Sequence, residues 1–258
     1  MTEILRIEGL NKRFGGIVAA NHISLVLHPG EVVGIIGPNG AGKTTLFNLI
    51  TGALPKDSGE IFMRGLAVGH LPTYARITHG IARTWQNNRL FASLSLLDNL
   101  IIGVKHYPGE RLFQLCFRPK SIRAVEESAR EAAMKALAIV GLSHRADALP
   151  SELSYGQQKL VALARAIMND GQCLLLDEPM AGVSGQIFDR IKQVIREQRD
   201  AGKAILLVEH NISFVKEVSN RVIFMASGTV LAQGPLDEML ANPQLTELYF
   251  GATAPANP

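Results

Sequence analysis

A glycine-rich stretch near the N-terminus has the residue types and spacing that suit phosphate binding. Residues 37–44 read GPNGAGKT, which fits the pattern G-x-x-x-x-G-K-[ST]. Glycines let backbone N–H groups approach anionic oxygens, and the helix expected after the loop adds its positive end. Lys43 can reach the β- and γ-phosphates, and Thr44 can offer its hydroxyl to Mg²⁺. The stretch predicts a nucleoside triphosphate site made of Gly37, Pro38, Asn39, Gly40, Ala41, Gly42, Lys43, Thr44 and Thr45.

A pair of acids follows an apolar run in the second half of the chain. Residues 174–179 read LLLDEP. An apolar strand that ends in two carboxylates suits Mg²⁺–phosphate chemistry. We expect Asp177 to hold the metal through water, and Glu178 to polarise the attacking water. Many strands end in acids, so this pair alone is a weak signal. Together with the upstream phosphate loop it indicates a nucleotide-hydrolysing site.

The elements that must position these groups alternate between strands and helices. A helix is expected over 42–51, directly after the glycine loop, with short strands before and after it. Those strands are predicted at 3–10, 23–27, 31–36 and 58–65. Later apolar runs at 173–177, 204–208 and 221–225 are typical of strands covered on both faces, with helices near 185–200 and 211–219 between them. This βαβ pattern predicts a mostly parallel sheet.

The middle of the chain has a helical pattern from about residue 96 to 151. Apolar side chains recur at three- and four-residue steps and charged side chains fill the other face, which predicts an amphipathic helix over 121–140 ended by Gly141. A helix that packs on its own domain explains this pattern without any further function. The apolar positions are Ile122, Val125, Ala129, Ala133, Ala136 and Val140.

Composition limits the remaining possibilities. The 258 residues suit one large domain or two small ones. A net charge of +3 without a dense Lys/Arg block favours neither nucleic acid nor membrane binding. Cys116 and Cys173 lie far apart, which favours a reduced intracellular protein. No signal peptide and no run of roughly 20 apolar residues is visible, so another chain would have to hold this one at a membrane.

The stretch LSYGQQK at 153–159 resembles the signature motif of ABC-type ATPases, whose usual form is Leu-Ser-Gly-Gly-Gln. Tyr155 replaces the first glycine, and the other four positions match. The resemblance implies that Ser154, Gly156 and Gln157 bind the γ-phosphate of a nucleotide held by an opposite subunit. As an isolated pentapeptide it could equally be a polar helix cap.

Three further positions match the same family. Gln86 in RTWQNNRLF resembles the Q-loop glutamine, which contacts Mg²⁺ and water and borders the membrane-domain contact. His210 in LLVEHN resembles the switch histidine that contacts the γ-phosphate, and Phe14 in KRFGG lies where the family places an aromatic ring on adenine. Alone, such a histidine is more often a surface residue and such a phenylalanine more often core.

The resemblance extends from about Leu5 to Gly251 and is to the ATP-binding subunit of an ABC importer. Branched-chain amino acid importers and their amide and urea relatives match best, through segments 12–25, 37–52, 80–91, 153–158 and 249–251. It implies an α/β P-loop NTPase fold of the ABC ATPase type, with a mostly parallel central sheet, an antiparallel β subdomain and a helical subdomain. The expected organisation is one domain over 1–250, with the helical subdomain at about 92–165 and a disordered tail over 251–258.

Two residues depart from the family pattern. Trp85 precedes Gln86 where the family usually has phenylalanine, which is compatible with a packing exchange. Ser184 lies where most ABC ATPases have the D-loop aspartate, which leaves the cross-subunit role of that position open.

The resemblance also implies the partners. Two ATPase domains pack head to tail with two ATP molecules and Mg²⁺ between them, and the second chain is a related one or another copy of this one. Two integral membrane permease subunits and, indirectly, a substrate-binding protein complete the importer, with this chain peripheral on the cytoplasmic face of the inner membrane and no nucleic acid involved.

Other classes remain open to different degrees. An ABC exporter subunit, such as one for lipopolysaccharide, has a similar ATPase sequence. A soluble ABC ATPase acting on ribosomes or DNA usually carries two cassettes or a long coiled-coil insertion, and this chain has neither. A GTPase is the weakest alternative, because the sequence has no Asn-Lys-x-Asp motif for guanine; NKRF at 11–14 has no aspartate.

Overall fold

The computed structural model describes residues 3–85, 89–104, 119–168 and 170–250. Spatial contacts divide the chain into two compact units. The first comprises the chain up to Arg83, Gln172–Pro179, and the chain from Ile195 onward. The second comprises Thr84–Gly171 and Met180–Val194. The phosphate loop and the two acids therefore belong to the first unit, and the signature-like motif belongs to the second.

The described strands are β1 (Leu5–Phe14), β2 (Ile17–Leu27), β3 (Val32–Ile36), β4 (Ser58–Met63), β5 (Leu66–Ala67), β6 (Ile81–Arg83), β7 (Cys173–Asp177), β8 (Ala204–Val208), β9 (Arg221–Ala226) and β10 (Thr229–Gly234). The α-helices are α1 (Lys43–Thr51), α2 (Thr73–Thr78), α3 (Leu96–Ile101), α4 (Pro119–Ile139), α5 (Tyr155–Met168), α6 (Gln186–Asp200), α7 (Ile212–Val218), α8 (Leu236–Leu240) and α9 (Pro243–Phe250). Short 3₁₀ turns cover Ser143–Arg145 and Pro150–Glu152.

A six-stranded sheet in the order β10-β9-β3-β8-β7-β6 forms the centre of the first unit. All neighbours are parallel except β9 and β10, which are antiparallel. Every residue of β3, β7 and β8 is buried, which explains their uninterrupted apolar sequences. Because the carboxyl ends of parallel strands meet at one edge, the loops after β3, β7 and β8 come together there.

A second sheet in the first unit has the order β2-β1-β4-β5 and is antiparallel. Its inward residues share one apolar core with the central sheet and helix α1. Large, fully buried side chains of this core include Leu5, Phe47 and Ile35. The core therefore holds the helix that begins at Lys43 against the sheet.

The second unit is helical and is built from α3, α4, α5 and the start of α6. Helix α3 begins at Ser95, whose hydroxyl accepts a hydrogen bond from the Asp98 N–H at 3.0 Å. Asn99 is fully buried and its amide donates to the carbonyls of Phe91, Leu94 and Ser95. The segment before α3 is thus held by one buried side chain.

Most elements predicted from the sequence are confirmed, with shifted ends. Helix α4 spans 119–139 against the predicted 121–140; Ala129 and Ala133 on its apolar face are buried, and Glu126 and Arg130 opposite are exposed. Strand β1 continues to Phe14, beyond its predicted end, and strand β2 begins at Ile17, before its predicted start. These outer parts lack a regular alternation of apolar and polar residues. Strands β6 and β10 were not predicted; β6 has only three residues and β10 alternates in burial at the sheet edge.

Within the described ranges, no helix is long and apolar enough to cross a bilayer.

Candidate functional site

The glycine loop joins the end of β3 to the start of α1. Gly37, Gly40 and Gly42 all have positive φ values, of 148°, 77° and 96°. A Cβ on Gly37 would lie 1.9 Å from the carbonyl oxygen of Met225, and one on Gly42 would lie 2.4 Å from that of Ala19. Glycine is therefore required at both positions by close backbone approach. The loop leads into a helix N-terminus, which favours an anion.

Lys43 lies inside this loop. Its Nζ donates hydrogen bonds to the carbonyls of Gly37 at 2.7 Å and Pro38 at 2.9 Å. Burial lowers the pKa of Lys43, and the nearby charges of Glu178 and Asp177 oppose that lowering. Two neutral carbonyl oxygens of the loop therefore hold the ammonium.

The two acids lie where β7 ends. Asp177 is buried, and its Oδ2 accepts from Nη2 of Arg83 at 2.7 Å. Glu178 adopts a φ of 48°, which is uncommon for a residue other than glycine, and its N–H donates to the Val208 carbonyl at 2.9 Å. Its Oε1 lies 3.2 Å from Nε2 of His210. The structure therefore pairs the predicted base with the predicted switch histidine.

One cavity of about 230 Å³ collects most of the predicted groups of the first unit. Its lining comprises residues 39–45 of the loop, Glu178, His210 and a part of β2, namely Ile17, Val18 and Ala19. The β2 residues were not predicted. Phe14 is half exposed and pairs with Ile17 across the β1–β2 hairpin, which puts its strand position next to this lining.

His210 has further contacts that the sequence did not indicate. The carboxylate of Glu209 accepts from the backbone N–H groups of His210 at 3.0 Å and Asn211 at 3.4 Å. The hydroxyl of Tyr249, in α9, donates to the His210 carbonyl at 3.2 Å. The ring of Tyr249 packs edge-on against Phe224 at 6.2 Å. The C-terminal helix thus contacts the loop that carries the predicted switch histidine.

The donor set suits a hard cation of the magnesium type. Among the described residues there is no group of three or more His, Cys, Asp or Glu side chains that could form a metal cage. Thr44 and Asp177 offer oxygen atoms, and Mg²⁺ usually binds one or two carboxylates together with substrate phosphates. Gln86, the other predicted metal contact, lies outside the described residues.

The signature-like motif lies at the N-terminus of α5 in the second unit. The Ser154 Oγ accepts from the Gln157 N–H at 3.3 Å, and the Gln157 Oε1 accepts from the Ser154 N–H at 3.0 Å. This reciprocal pair is a capping box, so the local alternative raised by the sequence is also present. A Cβ on Gly156 would lie 3.1 Å from the side chain of Ile187.

Tyr155, which replaces the first signature glycine, is half exposed. Its ring carbons lie 3.3 Å from the position that a Cβ on Gly182 would take. Gly182 has a φ of 71° and belongs to the segment that includes the exposed Ser184. The tyrosine therefore lies against the D-loop segment, where a glycine would leave space.

Comparison with known proteins identifies the class. Residues 20–181 match the family described as ABC transporter. A nucleotide-free ATP-binding cassette from an ABC transporter, known from a crystal structure, has a TM-score of 0.84 at 34% identity over 96% of this chain and 98% of that one. The chain belongs to the ABC transporter family and is an ATP-binding cassette ATPase that binds nucleotide. The family, the fold and the ATPase class predicted from the sequence are confirmed.

Two further relatives bear on transport and on assembly. The high-affinity branched-chain amino acid transport ATP-binding protein LivG of Escherichia coli K12 is 34% identical over 249 residues, which cover 96% of this chain and 98% of that protein. A second ATP-binding cassette, solved as a dimer in a post-hydrolysis state with ADP and Pi, has a TM-score of 0.75 at 26% identity and covers 90% of this chain and 99% of its own.

Proposed function

We propose that this chain is the ATP-hydrolysing subunit of an importer for branched-chain amino acids. The transport role of the LivG relative supports the cargo class, because the similarity spans nearly the full length of both chains. The observation that carries the ATPase part is the cavity in which the phosphate loop, Glu178 and His210 meet. We also propose that residues 1–250 form one such domain, with a helical subdomain at about 92–165.

Nucleotide binding exchanges one set of oxygen partners for another. The Lys43 ammonium leaves the carbonyls of Gly37 and Pro38, which it contacts at 2.7 and 2.9 Å, and donates to the β- and γ-phosphates. Loop N–H groups and the hydroxyls of Thr44 and Thr45 complete the phosphate contacts. Phe14 offers a ring for adenine beside the β2 residues of the cavity wall.

The metal site uses few protein ligands. Mg²⁺, when bound, neutralises phosphate charge and orients the γ-phosphate. Thr44 and Asp177 would hold it, together with Gln86. Asp177 is buried and paired with Arg83, which holds its carboxylate in place.

Hydrolysis requires Glu178 and His210 to separate. In the structure the Glu178 Oε1 and the His210 Nε2 contact each other at 3.2 Å. With ATP bound, the His210 Nε2 donates to the γ-phosphate, which leaves the Glu178 carboxylate to accept a proton from the attacking water. The Tyr249 hydroxyl holds the His210 carbonyl from the other side, so the backbone stays in place while the side chain turns.

Assembly completes the site. Ser154, Gly156 and Gln157 of one cassette bind the γ-phosphate held by a second cassette, packed head to tail as a related chain or another copy. The dimeric relative with ADP and Pi supports such pairing. Contact to the γ-phosphate from both sides favours the closed dimer until hydrolysis removes that phosphate, which is a ligand-driven shift between two arrangements.

Two integral membrane permeases and a substrate-binding protein would turn this cycle into import. The chain would be peripheral on the cytoplasmic face of the inner membrane, and no nucleic acid would be involved.

The first test compares Glu178→Gln with Glu238→Gln, an equal change at an exposed position of helix α8. Glu178→Gln is expected to keep ATP binding and lose most hydrolysis, whereas the control keeps both. Near-normal turnover in Glu178→Gln would remove this residue as the base.

The second test uses the Glu178→Gln variant, held in its ATP form, to capture partners from detergent-solubilised native membranes. We expect two multi-span proteins and a second ATPase. The same complex assembled with the wild-type chain, which hydrolyses ATP, and reconstituted with its binding protein is expected to take up labelled leucine. Uptake of urea or an amide instead would change the cargo. Lipopolysaccharide-handling membrane proteins, ribosomes or DNA among the partners would overturn the importer.

A further inference from the structure

A buried ion pair lies beside the nucleotide cavity at the edge of the central sheet. Arg83 and Asp177 end the neighbouring strands β6 and β7, and their contacting atoms are 2.7 Å apart. The side chains are only 4% and 5% exposed. Arg83 is in register with Leu175, two residues before Asp177, so both charged side chains lie on the same face of the sheet.

The same guanidinium also contacts the helix that follows the phosphate loop. Its Nη1 donates to the Asn48 Oδ1 at 2.7 Å, and the group lies 5.3 Å from the centre of the Phe47 ring. Asn48 and Phe47 belong to α1, which begins at Lys43. One side chain therefore joins the strand that carries the acid to the helix that carries Lys43 and Thr44.

The two hydrogen bonds need the shape of the guanidinium. Its nitrogen atoms form a planar fork, so separate N–H groups can reach a carboxylate and an amide oxygen at once. A lysine has one ammonium at the end of a flexible stem, and it keeps the charge without this fixed geometry. Charge alone therefore does not reproduce the bridge.

We propose that Arg83 is a positioning residue for the metal site: by bridging Asp177 and Asn48 it sets the carboxylate relative to the Thr44 hydroxyl and thereby determines how strongly Mg²⁺ binds with ATP. The inference rests on the proposed function, because it takes Asp177 as a metal ligand. Groups that orient metal ligands typically change metal affinity by about 10- to 100-fold when they are replaced.

The test measures binding in place of turnover. The dissociation constant of a fluorescent, non-hydrolysable ATP analogue is determined with Mg²⁺ and with EDTA, in wild type and in Arg83→Lys. The ratio used is the dissociation constant in EDTA divided by that with Mg²⁺. By thermodynamic linkage, this ratio falls by the factor that is lost in metal affinity. We expect Arg83→Lys to bind the analogue in EDTA as wild type does and to lower the ratio by about 10-fold or more.

The control is Arg221→Lys. Arg221 also pairs with a carboxylate at 2.7 Å, that of Glu31, and donates to the Val26 carbonyl, but Glu31 is not a predicted metal ligand. It is expected to keep the wild-type ratio even if its thermal midpoint falls. A purely structural role for Arg83 would likewise lower the midpoint and leave the ratio unchanged, and that result overturns the inference.

If Arg83→Lys does not fold, Asn48→Ala takes its place. This variant removes one end of the bridge and keeps the charge pair, so the ratio should fall in the same direction by a smaller factor. A wild-type ratio in Asn48→Ala would then overturn the inference. Failure of the proposed function has a different result, because wild type itself would show no binding of the analogue or no effect of Mg²⁺.

Discussion

Replacing Lys43 with methionine tests the phosphate loop directly. Methionine keeps an unbranched stem of similar length and removes the ammonium. This ammonium donates two hydrogen bonds, to the carbonyls of Gly37 and Pro38. Those bonds and the cost of burying the charge act in opposite directions on stability, so nucleotide affinity is the sharper measurement.

The expected loss of affinity is that of one net charge-assisted hydrogen bond, because the bonds to the phosphates replace those to the two loop carbonyls. A hydrogen bond to a charged group contributes about 1.5–3 kcal/mol. Since about 1.4 kcal/mol corresponds to a factor of ten, the dissociation constant for ATP should rise about 10-fold to 150-fold. The measurement is a fluorescence or calorimetric titration of purified protein with ATP.

Lys43→Met should also remove a pH dependence. Burial gives Lys43 a lower pKa in the folded protein than the ordinary value of 10.5, so the unfolded chain binds more protons in the pH range between the two values. The contribution of Lys43 to the free energy of unfolding therefore increases as the pH rises through that range, which lies below 10.5. Urea denaturation at several alkaline pH values should show that wild type gains stability relative to the variant as the pH rises through this window.

The matched control is Lys56→Met. The Lys56 Nζ also donates to a backbone carbonyl, that of Gly59 at 2.7 Å, but Lys56 does not line the nucleotide cavity. ATP affinity should be unchanged in this variant. Equal ATP affinity in Lys43→Met and wild type would refute the reasoning, because the loop would then bind phosphate without the ammonium.

Two further predictions concern packing. Gly37→Ala should lower the free energy of unfolding by about 1–3 kcal/mol more than Gly40→Ala does. A Cβ at position 37 would lie 1.9 Å from the Met225 carbonyl oxygen, whereas one at position 40 would meet open space. Equal urea midpoints for the two variants would contradict this prediction. Burial raises the pKa of the Cys173 thiol to about 12. In a Cys116→Ser background, a thiol reagent at pH 8 should therefore label Cys173 only after unfolding. Labelling of the folded protein at the rate of a free thiol would contradict the prediction.

The sequence predicted the site residues whose types and spacing form local patterns. The phosphate loop depends on consecutive backbone positions, so its glycines, Lys43 and Thr44 are recognisable from spacing alone. The same holds for the acid pair at the end of an apolar strand, and for the amphipathic helix α4. Assignments that rest on the resemblance, such as Gln86 and Phe14, remain predictions.

Residues that act through distant partners could not be found in this way. Tyr249 lies 39 positions after His210, and only the packing of α9 brings its hydroxyl to that carbonyl. Arg83 ends a strand of three residues, which is too short for a periodic pattern, and its partner is 94 positions away.

The sequence by itself predicted which groups bind phosphate, metal and water, because those groups need particular residue types at fixed short spacings. The order of the strands in the central sheet decided which groups meet. Placing β8 between β3 and β7 puts the glycine loop, His210 and Glu178 at one edge, and placing β6 beside β7 gives Asp177 a buried arginine. Strand order depends on burying apolar faces across the whole chain, and no short stretch of sequence encodes it.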